Sequence, residues 1–337
     1  MKALQVTGPG EAAVVQVSEP EAESGEVLLR VRMVGMCGSD LNTFRGKNPL
    51  VSYPRILGHE IAATVESAPD GIGLAKGTPV TVSPYTNCGT CPACTAGRRN
   101  ACQYNQTLGV QRDGALAEFI TVRYEKIFPA PKLTFEELAL VEPLTVGFHA
   151  VARGRVSDED HVVVFGCGGV GLGAISGAAR RGATVIAIDV DGDKLSLAQA
   201  AGAKFVIHSR RESLHERLRE LTNGRGPNVA IEAIGLPSTF VSAIEETAFC
   251  GRVVYIGYAK EPVCYETRFF VQKELDILGS RNALPEDFKA VIGMLEAGEF
   301  PVPRAISKIV PLTEAGSALR EWSEEPARFS KILVRCG

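Results

Sequence analysis

Apolar positions follow two rhythms along this chain. Up to about residue 141 they alternate with polar ones in short stretches such as "MKALQVTGPGEAAVVQV" and "GEVLLRVRMVGMCG", the period of half-buried strands. The segment is rich in Val, Gly and Pro and predicts an irregular β domain. From 161 to 279 the rhythm becomes a repeated unit of apolar run, Gly or polar turn and amphipathic stretch. That is the order of βαβ units, whose strands are buried on both faces. "HVVVFG", "ATVIAID", "AKFVIH", "PNVAIEAIG", "GRVVYIGY" and "LDILGS" predict about six strands of one doubly wound parallel sheet. Beyond it "PEDFKAVIGMLEAG" predicts a helix, then strand, helix and strand to the end, a tail expected to rejoin the first domain. The expected division is 1–146 with 287–337 for the β-rich domain, and 147–286 for the parallel sheet.

Composition narrows the function. At 337 residues and 45% hydrophobic content, the chain is long enough for two full cores. A formal net charge of -3 gives no basic surface of the kind that tracks phosphate backbones, which excludes nucleic acid and leaves a small molecule as the expected partner. No apolar stretch approaches a membrane span, and the first residues lack a signal peptide's apolar block, so a cytoplasmic location and no membrane partner are expected.

The sharpest βαβ unit joins "HVVVFG" to "GCGGVG" and "LGAISGAARRG". Gly166, Gly168 and Gly171 fit G-x-G-x-x-G between strand and helix, and Asp189 follows at about the 20-residue interval of a dinucleotide fingerprint. The first two glycines permit a tight turn and close approach of backbone to pyrophosphate, and the third lets helix pack on strand. A nucleotide-free doubly wound sheet is the bland alternative. Asp189 can accept both adenosine ribose hydroxyls, whereas a 2'-phosphate there would meet Asp189 and then Asp191, which selects NAD over NADP.

Four of the nine cysteines crowd into "NCGTCPACTAGRRNAC" at spacing C-x2-C-x2-C-x7-C. Two-residue gaps aim successive thiolates at one point, and the longer return brings a fourth to close a tetrahedron. Cys88, Cys91, Cys94 and Cys102 therefore predict a zinc site in a lobe at about 86–104. An iron–sulfur cluster, or a disulfide or redox role, uses comparable spacings. Zinc closed by four thiolates has no position for substrate, so its role is to staple a loop and the chemistry belongs elsewhere.

Two further elements, "GMCGSDLN" and "YPRILGHE", place Cys37 and His59 in small or polar company. A soft thiolate and an imidazole suit zinc, and Glu142 in "LVEPLTVGFHA" offers a third ligand at the start of the cofactor domain, in an interdomain cleft. Three ligands leave one position open, as a catalytic zinc requires. Taken singly, a Cys is usually a small buried hydrophobe and a Glu before Pro a helix start.

Taken together, "CGSD" at Cys37, "GHE" at 58–60, the four-cysteine lobe, "EPL" at 142–144 and "GCGGVG" resemble the zinc-dependent medium-chain dehydrogenases in the right order along the whole chain. The resemblance implies a GroES-like catalytic domain, a Rossmann domain, two zincs per chain, NAD, and a homodimer or homotetramer. It implies Cys37, His59 and Glu142 as catalytic-zinc ligands with Glu60 as an alternate, Ser39 as the first proton-relay hydroxyl, and Asp40 as the acid that orients the histidine. Gly169, Val170, Lys194, Ile256 and Asn282 join the cofactor contacts on the same basis. The mechanism implied is a hydroxyl acidified on zinc that expels hydride to nicotinamide. Asn42 departs from the family pattern, standing where many members carry a relay histidine, and it cannot titrate near neutrality.

Glutamate at position 142 resembles the sorbitol dehydrogenase branch, which prefers polyhydroxylated substrates. "FRGKNPLVSYPRILGHE" and "GSRNALPEDF" are most similar to the sugar-acid dehydrogenases of that branch, such as L-galactonate 5-dehydrogenase, which oxidise a secondary hydroxyl of a hexonate. Arg281, at the end of "LDILGS", is the candidate for the substrate carboxylate, with Arg45 and Arg55 as rivals and an interdomain or subunit salt bridge as its other reading. A polyol or L-threonine dehydrogenase is the enzyme alternative, and a silent NAD-binding regulator the alternative of another class.

Overall fold

The computed structural model describes residues 1–337. Two compact units divide the chain: Met1–Glu142 with Leu284–Ala297 and Val302–Gly337, and Pro143–Ala283 with Gly298–Pro301.

The first unit opens with β1 (Lys2–Gly8) and β2 (Glu11–Gln16), so the first alternating stretch is a hairpin turned at Gly8–Pro9–Gly10. Ala3, Leu4 and Val6 are buried, Ala3 on one face and Leu4 and Val6 in the main core. There follow β3 (Glu26–Gly35), α1 (Gly38–Phe44), β4 (Arg55–Ile56), β5 (Glu60–Ser67), β6 (Pro79–Val82), α2 (Pro92–Thr95), β7 (Phe119–Arg123), β8 (Ile127–Pro129) and α3 (Phe135–Arg153). Pro143 lies inside α3, so Glu142 sits in mid-helix and not at the helix start that Glu-Pro usually marks.

The second unit repeats strand and helix: β9 (His161–Phe165), α4 (Gly169–Arg180), β10 (Thr184–Asp189), α5 (Gly192–Ala200), β11 (Phe205–His208), α6 (Leu214–Leu221), β12 (Val229–Glu232), α7 (Pro237–Glu246), β13 (Arg252–Tyr255), α8 (Arg268–Gln272) and β14 (Asp276–Gly279). All its strand pairs are parallel, in the order β11-β10-β9-β12-β13-β14. This is the doubly wound Rossmann order, with the topological switch between β9 and β12. Val163, Ile186, Ile207, Ala230 and Val253 fill its core from neighbouring strands, each large one contributing roughly 1.5–3 kcal/mol by leaving water.

The tail carries α9 (Pro285–Glu296), α10 (Val302–Ala305), β15 (Lys308–Pro311), α11 (Ala315–Glu324) and β16 (Ile332–Arg335). β16 pairs with β3 antiparallel, which returns the tail to the first unit and extends its main sheet to β15-β16-β3-β5-β6-β8, with β7 also on β3. Leu29, Val31, Ile61, Val80, Leu116, Leu319 and Ile332 pack within it. No helix is long and apolar enough to cross a membrane.

Candidate active site and cofactor site

Cys37 caps the N-terminus of α1 immediately after β3, and Asp40 in the first turn fixes it by accepting the Cys37 N–H at 2.9 Å. The other Asp40 oxygen accepts the Gly58 N–H at 3.4 Å and stands 3.9 Å from His59 Nδ1. One buried carboxylate thus holds the backbone beside both metal-binding side chains. Gly58 adopts φ +97°, and a Cβ there would press on Val34 and Leu116, so the turn before His59 requires glycine.

Cys37, His59 and Glu60 bring their ligand atoms within 4.8 Å of one another. Glu142 is not one of this trio, although the sequence pointed to it as the third ligand. Glu60 follows His59 directly and opens β5 opposite Gly35, while Glu142 accepts a short hydrogen bond from the Tyr85 hydroxyl. The Glu60 carboxylate accepts from Lys331 Nζ at 2.6 Å on each oxygen, and Lys331 also donates to Met36 O at 3.2 Å.

Electrostatics fit a cation here. Asp40, Glu60 and Glu142 are all buried near Cys37, and buried Lys331 pairs with Glu60. Burial raises the Asp40 and Glu142 carboxyls above their ordinary values against the opposing pull of His59. Burial lowers His59, but Cys37, Asp40 and Glu142 outweigh it, so its proton affinity is raised well above the ordinary imidazole. Burial likewise works against charged Lys331 and is overcome, first by Glu60. Tyr85 is pushed far up by burial and then by Glu142, so it stays a hydrogen-bond donor. A soft thiolate, an imidazole and a carboxylate converging in an excess of buried acid suit a zinc ion, which would offset that charge.

The four-cysteine lobe also fits zinc. Cys88, Cys91, Cys94 and Cys102 bring their sulfurs within 4.8 Å of one another. Cys102 Sγ accepts from the Cys88 N–H and Cys88 Sγ from the Cys91 N–H, both at 3.3 Å. Led by the Thr90 backbone N–H, such donors lower the Cys88 thiol to about 6, whereas burial pushes Cys94 up to about 11.

In the second unit Gly166 follows β9 at φ +95°, and Gly171 packs so closely that a Cβ would collide with Gly166 O. Gly168 faces open space before α4, the room that close approach of a pyrophosphate requires. Gly169 and Val170 form the first turn of α4. Asp189, at the end of β10, accepts from Cys167 N–H at 2.9 Å on one oxygen, and from Val190 and Asp191 N–H at 2.7 and 3.1 Å on the other. Lys194 lies in the first turn of α5, Ile256 directly after β13, and half-buried Arg281 and Asn282 after β14.

Two arginines are engaged within the fold. Arg45 donates to both the hydroxyl and the carbonyl of Ser323, and Arg55 pairs with Asp113 at 3.0 Å. Ser39 Oγ is buried with no hydrogen-bond partner. Sequence reasoning missed Lys331 and Tyr85, whose partnerships join distant segments and leave no local spacing to read. It also missed Glu232, whose donors Ile234, Gly235 and Thr239 are near in sequence but whose full burial no motif announces.

Three converging side chains able to hold a metal in one unit and a dinucleotide turn in the other fit a zinc-dependent oxidoreductase that acts on hydroxyl groups and uses NAD. The profile of the alcohol dehydrogenase GroES-like domain matches residues 23–132, and that of zinc-binding dehydrogenases residues 169–297. L-galactonate-5-dehydrogenase of Escherichia coli (strain K12) is 31% identical, over 99% of this chain and 98% of its own. Sorbitol dehydrogenase of Bacillus subtilis (strain 168) is 34% identical over 83% and 81%. The crystal structure of the alcohol dehydrogenase rspB from E. coli CFT073, complexed with cofactor NADH, superimposes with a TM-score of 0.91 at 27% identity, covering 99% of each chain. The chain belongs to the zinc-type medium-chain alcohol dehydrogenases. Within that family it is a zinc-dependent dehydrogenase of the polyol and sugar-acid type, with a small hydroxy compound as substrate.

Proposed function

We propose that this enzyme oxidises a secondary hydroxyl of a hexonate, at C5, to the ketone while NAD accepts the hydride. The observation that carries the reading is the likeness to L-galactonate-5-dehydrogenase along nearly the whole chain. Arg281, one residue beyond the buried Ser280 at the end of β14, supplies a cation suited to the substrate's carboxylate. A polyol is the second reading, favoured by the likeness to sorbitol dehydrogenase.

Zinc, when bound, supplies a Lewis acid that makes a coordinated hydroxyl more acidic. Cys37, His59 and Glu60 hold it in this reading, with Glu142 kept on Tyr85 as a nearby acid. Asp40 keeps both ligand segments in place through the Cys37 and Gly58 N–H groups. The Ser39 hydroxyl, two residues from Cys37, is the first group able to take the substrate proton. With Asn42 unable to titrate, that proton continues to solvent or a cofactor ribose hydroxyl.

A homo-oligomer fits the same reading. β14 is the outermost strand of its sheet, with Ile277 41% exposed and Val271, in the helix leading to it, 81% exposed. Such an apolar open edge is a template for a second copy. The substrate is tested by turning over hexonates, hexitols and L-threonine with NAD and following NADH absorbance. A hexonate is expected to give the highest kcat/KM, and a hexitol in that place returns the enzyme to the polyol reading.

A further inference from the structure

The glycine turn has company at its end of the parallel sheet. Loops leave the C-terminal ends of three adjacent strands there: from Gly166 after β9, from Ala233 after β12 and from Ile256 after β13. Glu232, the last residue of β12, is fully buried. Its Oε1 accepts three hydrogen bonds, from the Ile234 N–H at 2.9 Å, the Gly235 N–H at 2.8 Å and the Thr239 hydroxyl at 2.7 Å. Its backbone carbonyl accepts from the Ile256 and Gly257 N–H groups at 2.9 and 3.2 Å. Oε2 is buried without a hydrogen-bond partner and lies against Gly257, where a Cβ would collide with it.

A buried carboxylate with one oxygen unsatisfied is an expensive way to close a strand end, which Ser, Thr or Asn closes as well. What the carboxylate achieves is position. Pinning Ile234 and Gly235 from below sets the Ile234 side chain so close over the glycine turn that a Cβ on Gly166 would lie 2.6 Å from Ile234 Cγ1. The turn it fixes therefore flanks the switch point between β9 and β12, where a doubly wound sheet takes its ligand.

We propose that Glu232 is a positioning residue for NAD: through Ile234, Gly235 and Thr239 it fixes the β12–α7 turn against the glycine turn, and so sets the width of the dinucleotide crevice. The hydrogen-bond acceptor matters and the negative charge does not, because only one oxygen has partners.

NADH affinity, measured by fluorescence titration, separates this role from simple support of the fold. Glu232→Gln keeps an acceptor for all three donors and is expected to bind NADH within about twofold of the unaltered protein. Glu232→Ala is expected to raise the Kd for NADH and the KM for NAD about tenfold or more, while zinc content and the KM for the hydroxy substrate stay in place. Thr239→Val, which removes one donor, is expected to weaken NADH about threefold with an unchanged Tm. If Glu232→Ala fails to fold, Thr239→Val and Gly257→Ala, whose new methyl presses on Oε2 and on the Gly235 backbone that Glu232 pins, carry the test. Unaltered NADH affinity in a folded Glu232→Ala, or in both of those variants, overturns the proposal, as does a Glu232→Gln variant as weak as Glu232→Ala.

Discussion

Lys331 Nζ lies 2.6 Å from both carboxylate oxygens of Glu60, although 271 residues separate the two along the chain. The pair spans three strands, since Glu60 opens β5, Gly35 faces it from β3, and β16 begins one residue after Lys331. A Cβ on Gly35 would collide with the Glu60 carboxylate, so glycine leaves the passage across β3 open. Both partners are buried, and each makes the other's charge tolerable.

Lys331→Met is therefore expected to strand a buried carboxylate and cost about 3–5 kcal/mol of stability, with Lys331→Arg recovering part of it. Denaturant unfolding of the zinc-loaded protein checks this. A loss below about 0.5 kcal/mol would mean that the pair contributes little.

Glu60 and Glu142 compete for the third ligand position, and metal analysis separates them. Glu60→Ala is expected to lose the catalytic zinc and turnover while NADH binding persists, because the second unit carries the dinucleotide turn. Glu142→Ala is expected to retain that zinc, and its loss there would make Glu142 the ligand.

In the four-cysteine lobe, Cys91→Ser is expected to lower zinc from two ions per chain to one and to reduce the thermal midpoint, as an incomplete site releases its loop. Unchanged zinc content and midpoint would remove the metal from this lobe.

Asp189 is expected to give NAD at least ~100-fold higher kcat/KM than NADP, a repelled or desolvated phosphate costing on the order of 3 kcal/mol. Asp189→Gly should narrow that gap and also weaken NAD, because the Cys167, Val190 and Asp191 N–H groups lose their acceptor. Equal use of both cofactors by the unaltered enzyme would defeat this role.

If Arg281 clamps a carboxylate, Arg281→Ala should cost roughly 2 kcal/mol or more in kcat/KM for the hexonate and spare the matching uncharged polyol. An equal loss on both substrates would assign the arginine to an internal or subunit contact.

The six parallel strands, the glycine turn with Asp189 and the four-cysteine lobe were legible because their signals are local. Strand burial repeats in short apolar runs, a tight turn needs glycines at fixed steps, and four thiols within sixteen residues of chain converge whatever surrounds them. Cys37 and His59 were legible only as members of a pattern, since each alone reads as core. The identity of the converging carboxylate was decided by tertiary structure. Glu60 reaches the trio because Gly35 on the paired strand leaves it room, while Glu142, in mid-helix, is engaged by Tyr85 from 57 residues away. Lys331 is likewise invisible in spacing: a buried charge is defined by its partner, and sheet pairing brought Glu60 within hydrogen-bonding distance. Glu232, by contrast, bonds Ile234, Gly235 and Thr239 close by in sequence, and only its burial was set by the tertiary fold.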